Sequence, residues 1–243
     1  MIKDKDVNSY LKKRQEIEAP NHHDLLPTQL RKERLKQLKL DNLIGPELKK
    51  VFDTQIKSFD NYQLNLRVYI PFENEKNKKS PIILFFHGGG FVMGNLDTHD
   101  SPCRCISKYS QRIVVAVDYR LAPENKFPIP YKDAECALKS LEFLKSENCD
   151  FNNIIVCGDS AGGNLATVLS INSSKKLLPK IKGQILIYPW VDFTLSMRSS
   201  DFNLSGATLT GDTVGYFAKH YLRDRKDEVN YEVSPLFSKD LKD

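Results

Sequence analysis

Four near-continuous apolar runs, at residues 81–86, 112–117, 154–157 and 184–188, constrain this chain more than any other feature. A strand with one face in water alternates apolar and polar residues. Unbroken runs such as Ile82-Ile83-Leu84-Phe85-Phe86 and Ile113-Val114-Val115-Ala116-Val117 therefore need cover on both faces. Between the runs lie helical patterns, the clearest over residues 131–145, where Ala134, Ala137, Leu138, Leu141 and Leu144 share one side. Strand and helix in alternation predict an α/β fold with a mostly parallel sheet and crossover helices. Ahead of the runs, Leu64, Leu66, Val68 and Ile70 alternate as in a half-buried strand over 62–70. Leu26, Leu30, Leu35 and Leu38 predict an amphipathic helix within 24–43, with Pro27-Thr28 as its start and Gly45-Pro46 as its stop. The stretch 73–80 reads as a polar loop, and no internal repeat is present.

The 243 residues suit one α/β domain or two small ones, and 40% apolar with 28% charged residues is an ordinary globular balance. Lys and Arg number 36 against 31 Asp and Glu, and the resulting +5 is interleaved with acids, as in Arg31-Lys32-Glu33-Arg34. That is a solvated helix face rather than a nucleic-acid footprint. Residues 1–20 are charged throughout, without the apolar run of a signal peptide or transmembrane segment, so the expected location is cytoplasmic. Cys103, Cys105, Cys136, Cys149 and Cys157 form no C-x-x-C pair and accompany no histidine cluster. Free thiols are expected, and no metal site.

Two motifs carry chemistry. Residues 154–166 read as strand, turn and helix start, with Gly158-Asp159-Ser160-Ala161-Gly162 forming G-x-S-x-G at the turn. A nucleophile on so tight a turn is held in a strained conformation, and the flanking Gly158 and Gly162 avoid collisions with nearby backbone. The Ser160 hydroxyl then projects above the sheet at the positive end of a helix. The second motif, His87-Gly88-Gly89-Gly90-Phe91, follows another core strand. Its glycines allow backbone N–H groups to turn inward toward a developing oxyanion. The expected donors are the amides of Gly88, Gly89 and Ala161, each worth about 3–4 kcal/mol in the transition state. His87 is read as holding this loop through its ring, not as a general base.

With these residues the chain resembles the hormone-sensitive-lipase (GDXG) family of α/β-hydrolase carboxylesterases. Further matches are Gly94, His99 and Asp100, Tyr119-Arg120-Leu121-Ala122-Pro123-Glu124, Phe127-Pro128, Asp133, Tyr188-Pro189, Asp192 and Ser234-Pro235-Leu236. The resemblance implies the α/β-hydrolase fold with an eight-stranded sheet. It divides the chain into an N-terminal helical cap segment at 1–45, helping to cover an acyl pocket, and a core at 46–243. It implies hydrolysis of small carboxylic esters through a serine acyl-enzyme, with neither a metal nor an organic cofactor. Tyr119, Arg120, Glu124 and Asp133 are assigned to the architecture around the site.

In such a fold the triad runs in the order Ser, then Asp or Glu, then His. The resemblance puts the acid and the histidine beyond Ser234-Pro235-Leu236, and the sequence ends at Asp243, so these segments and their strands are expected to be missing. His220 is the single histidine after Ser160 and falls in a helical pattern over 213–222, where a packing or solvated role is expected. His22, His23 and His99 precede the nucleophile, and the order argues against them, least strongly for His99. The expectations are a nearly inactive chain, an open apolar strand edge at 184–188 and poor solubility. The alternative is a non-catalytic small-ligand-binding protein on the same fold. A phosphate-binding loop at 158–163 is excluded because no Gly-Lys-Ser/Thr follows.

Overall fold

A computed structural model describes residues 5, 8, 9, 12, 21–41, 43–72, 79–196 and 209–239. The segment 1–20 and the loop at 73–80 therefore lie mostly outside the described residues. Six strands form one sheet: β1 (Lys50–Lys57), β2 (Gln63–Ile70), β3 (Ser80–Phe86), β4 (Ile113–Val117), β5 (Cys149–Asp159) and β6 (Ile181–Ile187). Their order is β1-β2-β4-β3-β5-β6. The β1–β2 and β2–β4 pairs are antiparallel, and β4, β3, β5 and β6 run parallel. Leu84 of β3 sits between Val115 of β4 and Val156 of β5, so the centre of the sheet is the meeting point of three of the apolar runs.

The helices are α1 (Pro27–Asp41), α2 (Asp100–Ser110), α3 (Ile129–Lys139), α4 (Ala161–Ser174) and α5 (Gly211–Tyr221). Successive strand residues point to opposite faces, and both faces are covered. Ile82, Leu84, Phe86, Val115 and Val156 meet Ala134, Ala137 and Leu138 of α3 and Leu165, Val168 and Leu169 of α4. Ile83, Phe85, Val114, Ala116 and Cys157 meet Cys103 of α2. This double cover is the physical reason the runs lack polar alternation. Each buried aliphatic or Phe side chain contributes about 1.5–3 kcal/mol relative to exposure.

Three expectations are refined. Strand β1 is absent from the sequence reading because it is half-exposed. Ile56 is its only buried residue, Phe52 and Thr54 on the same face are half-buried, and Asp53, Gln55 and Lys57 on the other face are exposed. The helix expected over 131–145 ends at Lys139 and gives way at Ser140 to a 3-10 segment, Leu141–Glu147, in which Leu141 and Leu144 stay buried. The sheet has six strands among the described residues, against the eight the resemblance implied. At its outer side β6 carries Ile185 at 44% exposure, between the exposed Gln184 and a run of half-buried positions.

Asp133 of α3 is fully buried and fully used. Its carboxylate accepts from Ser58 Oγ, from the Arg120 backbone N–H and from the Arg120 guanidinium, which also reaches Asp60. A buried carboxylate survives only with such pairing, so Arg120 and Asp133 tie the β1–β2 turn to α3, as the architectural reading expected.

Candidate active site

Strand β5 ends at Asp159 and α4 begins at Ala161, leaving Ser160 alone at the turn with φ 51° and ψ −114°. A non-glycine residue there is strained and must be held by its surroundings. Its N–H donates to the Ile187 carbonyl at 2.9 Å, and its own carbonyl accepts the N–H groups of Trp190 and Asn164 at 3.1 and 3.0 Å. The two flanking glycines are sterically forced. A Cβ on Gly162 would lie 1.9 Å from the Phe86 carbonyl oxygen, and one on Gly158 would lie 2.4 Å from the Gly162 carbonyl carbon. Ser160 opens into a cavity of about 410 Å³ whose walls include His22, Gly89, Gly90, Met93, Trp190, Val191 and Phe217.

The loop after β3 supplies the facing wall. Gly89 and Gly90 have φ of +123° and +60°, and a Cβ on Gly90 would enter the Phe217 ring at 2.2 Å. His87 beneath them is buried, its ring stacked on Tyr119 with centroids 4.3 Å apart, while the Tyr119 hydroxyl donates to the His87 carbonyl at 2.7 Å. His87 Nδ1 lies 2.8 Å from the Gly88 carbonyl oxygen. A carbonyl only accepts, so Nδ1 carries the proton. Burial first, then neighbouring His99, push the His87 pKa down to about 3, so the ring is neutral and Nε2 is bare. That nitrogen has no partner among the described residues. In a trans peptide the C=O and N–H point in opposite directions. Holding the Gly88 carbonyl therefore also sets the direction of the Gly89 N–H.

The Gly88 amide is engaged elsewhere. It donates to Asp159 Oδ1 at 2.9 Å, so it is not available to a bound ligand as the sequence reading expected. The amides of Gly89, Gly90 and Ala161 have no acceptor among the described residues. Gly90, read from sequence as conformational, thus joins the free donors. Asp159, read only as part of the motif, is the bond between the two loops.

None of the four other histidines bonds to the Ser160 hydroxyl. His220 packs edge-on against Tyr216 at 4.5 Å and does not line the cavity; burial, then Lys126 and Lys219, lower its pKa. His23 Nδ1 faces Thr213 Oγ1 at 3.3 Å, and His99 Nε2 faces Asp159 at 3.4 Å. His22, set aside in the sequence on chain order, does line the cavity, with its ring 6.2 Å from that of Phe217. No spacing signal could reveal this, because the contact joins opposite ends of the chain.

The remaining wall is the segment after β6. Trp190 stacks on Phe193 at 3.7 Å, and Asn164 of α4 donates both amide protons, to the carbonyls of Trp190 and Val233 at 2.7 Å each. The Asp192 carboxylate is consumed by Thr194 and Ser196. Among the described residues no group of His, Cys, Asp or Glu side chains is placed to hold a metal ion, and no helix is long and apolar enough to cross a membrane.

A family model described as alpha/beta hydrolase fold matches residues 83–243. The chain belongs to the α/β hydrolase fold family. A model described as carboxylesterase family also matches residues 41–124. Esterase LipI of Mycobacterium tuberculosis is 38% identical over 159 residues, 65% of this chain and 50% of LipI. An arylesterase of Saccharolobus solfataricus is 35% identical over 191 residues, 78% of this chain and 61% of that one. The chain therefore spans only about half to three-fifths of these curated relatives. Among solved structures, a hyperthermophilic esterase from the archaeon Pyrobaculum calidifontis superposes with a TM-score of 0.88 at 32% identity, covering 98% of this chain and 76% of that one.

Proposed function

We propose that this α/β hydrolase chain carries the nucleophile and the oxyanion donors of a carboxylic ester hydrolase acting through a serine acyl-enzyme. The observation that carries the reading is the meeting of Ser160, on its strained turn, with Gly89 and Gly90 in one cavity. In this mechanism Ser160 Oγ attacks the ester carbonyl carbon. The oxygen that becomes negative takes hydrogen bonds from the amides of Gly89, Gly90 and Ala161, and the alcohol leaves as the acyl-enzyme forms. The largely apolar wall of Met93, Trp190, Val191 and Phe217 suits the carbon chain of a small ester. Residues 1–45 are read as a cap segment over a core at 46–243. Support comes from His22 in the cavity wall, from Tyr216 donating to the Leu25 carbonyl, and from Arg31 donating to the carbonyls of Val92 and Ala122. Five free cysteines support a cytoplasmic location.

The attacking hydroxyl must lose its proton to a base, and no imidazole or carboxylate among the described residues bonds to it. We therefore expect this chain by itself to turn over a nitrophenyl ester about 10⁴-fold or more below a complete triad enzyme. A nitrophenyl phosphonate, followed by intact-mass measurement and peptide mapping, should leave a single adduct on Ser160 that is absent in Ser160→Ala. An adduct confined to another residue would remove Ser160 as nucleophile.

A further inference from the structure

We infer that Arg31 of α1 is a positioning residue for the Gly90 amide, so that the aim of one oxyanion donor depends on this helix being docked; the inference rests on the proposed role of Gly90. The bonds of a single guanidinium carry it. Arg31 Nε donates to the Val92 carbonyl at 2.7 Å, and Nη2 donates to the Ala122 carbonyl at 2.6 Å. Nη1 and Nη2 also donate to the two carboxylate oxygens of Glu124, at 2.9 and 2.7 Å. A guanidinium is planar with its donors at fixed angles, so a carboxylate gripping one edge fixes where the remaining N–H groups point. They point at carbonyls that need them. Val92 and Ala122 are fully buried, and among the described residues no other donor reaches either oxygen. Leu30, next to Arg31 on α1, packs into the core, so the helix that carries the guanidinium is seated by its apolar side.

The segment that Arg31 grips is the one that closes the glycine loop. The N–H groups of Val92 and Met93 both donate to the Gly89 carbonyl at 3.0 Å, and the Ala122 N–H donates to the Phe91 carbonyl at 2.8 Å. Arg31 thus holds the C=O of Val92 and Ala122, two residues whose N–H groups hold the loop. The Gly89 carbonyl and the Gly90 N–H belong to one trans peptide and point in opposite directions. Fixing that carbonyl fixes the Gly90 N–H, just as His87 on the Gly88 carbonyl fixes the N–H of Gly89. Gly90 and Met93 line the same cavity as Ser160. When α1 lifts, the Val92 and Ala122 carbonyls lose their donor in a buried place, and the segment has to turn them toward water. The Gly89 carbonyl is then released and the Gly90 amide loses its aim. The turn at Ser160 is untouched, because its backbone bonds go to Ile187, Trp190 and Asn164. The nucleophile stays in place and faces a weakened set of donors.

Hydrogen exchange at the Val92 and Met93 amides should quicken about tenfold in Arg31→Leu, and about threefold in Glu124→Gln, which keeps the guanidinium but holds it less firmly. Exchange at the Ser160 and Trp190 amides, at the other strand end, should keep the wild-type rate in both variants. That contrast separates positioning from a general loosening of the fold. The maximal rate of Ser160 labelling by the nitrophenyl phosphonate should fall about tenfold in Arg31→Leu, with the half-saturating concentration changed by less than about twofold. Val92 and Met93 exchange unchanged in Arg31→Leu, or quickened equally at all four amides, overturns the role. A maximal labelling rate equal to that of the wild type does the same. If the exchange contrast holds but the phosphonate adduct lies on a residue other than Ser160, the ester-hydrolase reading fails and the coupling of α1 to the glycine loop stands.

Discussion

The two strand ends that build the site are held by opposite means. At the β5 end, Ser160 is fixed by backbone alone: its N–H and C=O bond to Ile187, Trp190 and Asn164, and its glycine neighbours press against other backbone. At the β3 end, the glycines are steered by side chains, with His87 on the Gly88 carbonyl and Asp159 on the Gly88 amide. On the proposed function, the difference follows from what each end must present. A nucleophile is a side chain, so its backbone can be locked rigidly. Oxyanion donors are themselves backbone amides, so their neighbours in the chain must be occupied by something else for them to stay free.

The sharpest way to break this arrangement is where the two ends touch. Gly162→Ala would place a Cβ 1.9 Å from the Phe86 carbonyl oxygen, a backbone atom that cannot swing aside. We expect a loss of about 3 kcal/mol or more in urea unfolding, and near-native stability would show that the ends are less tightly apposed than described.

On the backbone-held side, Asn164→Ala leaves the Trp190 and Val233 carbonyls without their donor. The expected loss is about 2–3 kcal/mol, with the cavity wall at 190–193 more exposed to hydrogen exchange. On the side-chain-held side the effect is pH-dependent. His87 titrates at about 3 when folded and its ordinary value is 6.5, so the unfolded chain binds more protons between those values. Its contribution to stability is complete above pH 6.5 and is lost progressively as pH falls, about 2 kcal/mol by pH 5. His87→Asn should flatten that part of the stability curve, and an unchanged slope would mean the ring is not buried neutral. Smallest of all, Gly183→Ala on β6 meets nothing within 4 Å and should alter stability by less than about 0.5 kcal/mol, a control far from both ends.

Much of this was legible in the chain. The buried strands, the turn at Ser160 and the glycine loop were readable because their causes are local: apolar runs demand two covered faces, and tight turns exclude side chains. His220 lies on α5, where its helical spacing puts it, and does not line the cavity. Strand β1 escaped because an exposed edge strand needs little hydrophobic pattern. The helix over 131–145 was overextended because a 3-10 turn buries Leu141 and Leu144 as well as an α-helix would.

What the sequence determined by itself was which residue types stand at the two strand ends, because steric and hydrophobic demands act between near neighbours. Only the tertiary structure decided which amides remain free, that Asp159 claims Gly88 from 71 residues away, and that His22 reaches the cavity. Hydrogen-bond partners are chosen by distance and direction in space, and residues far apart in the chain acquire neither until the sheet has assembled.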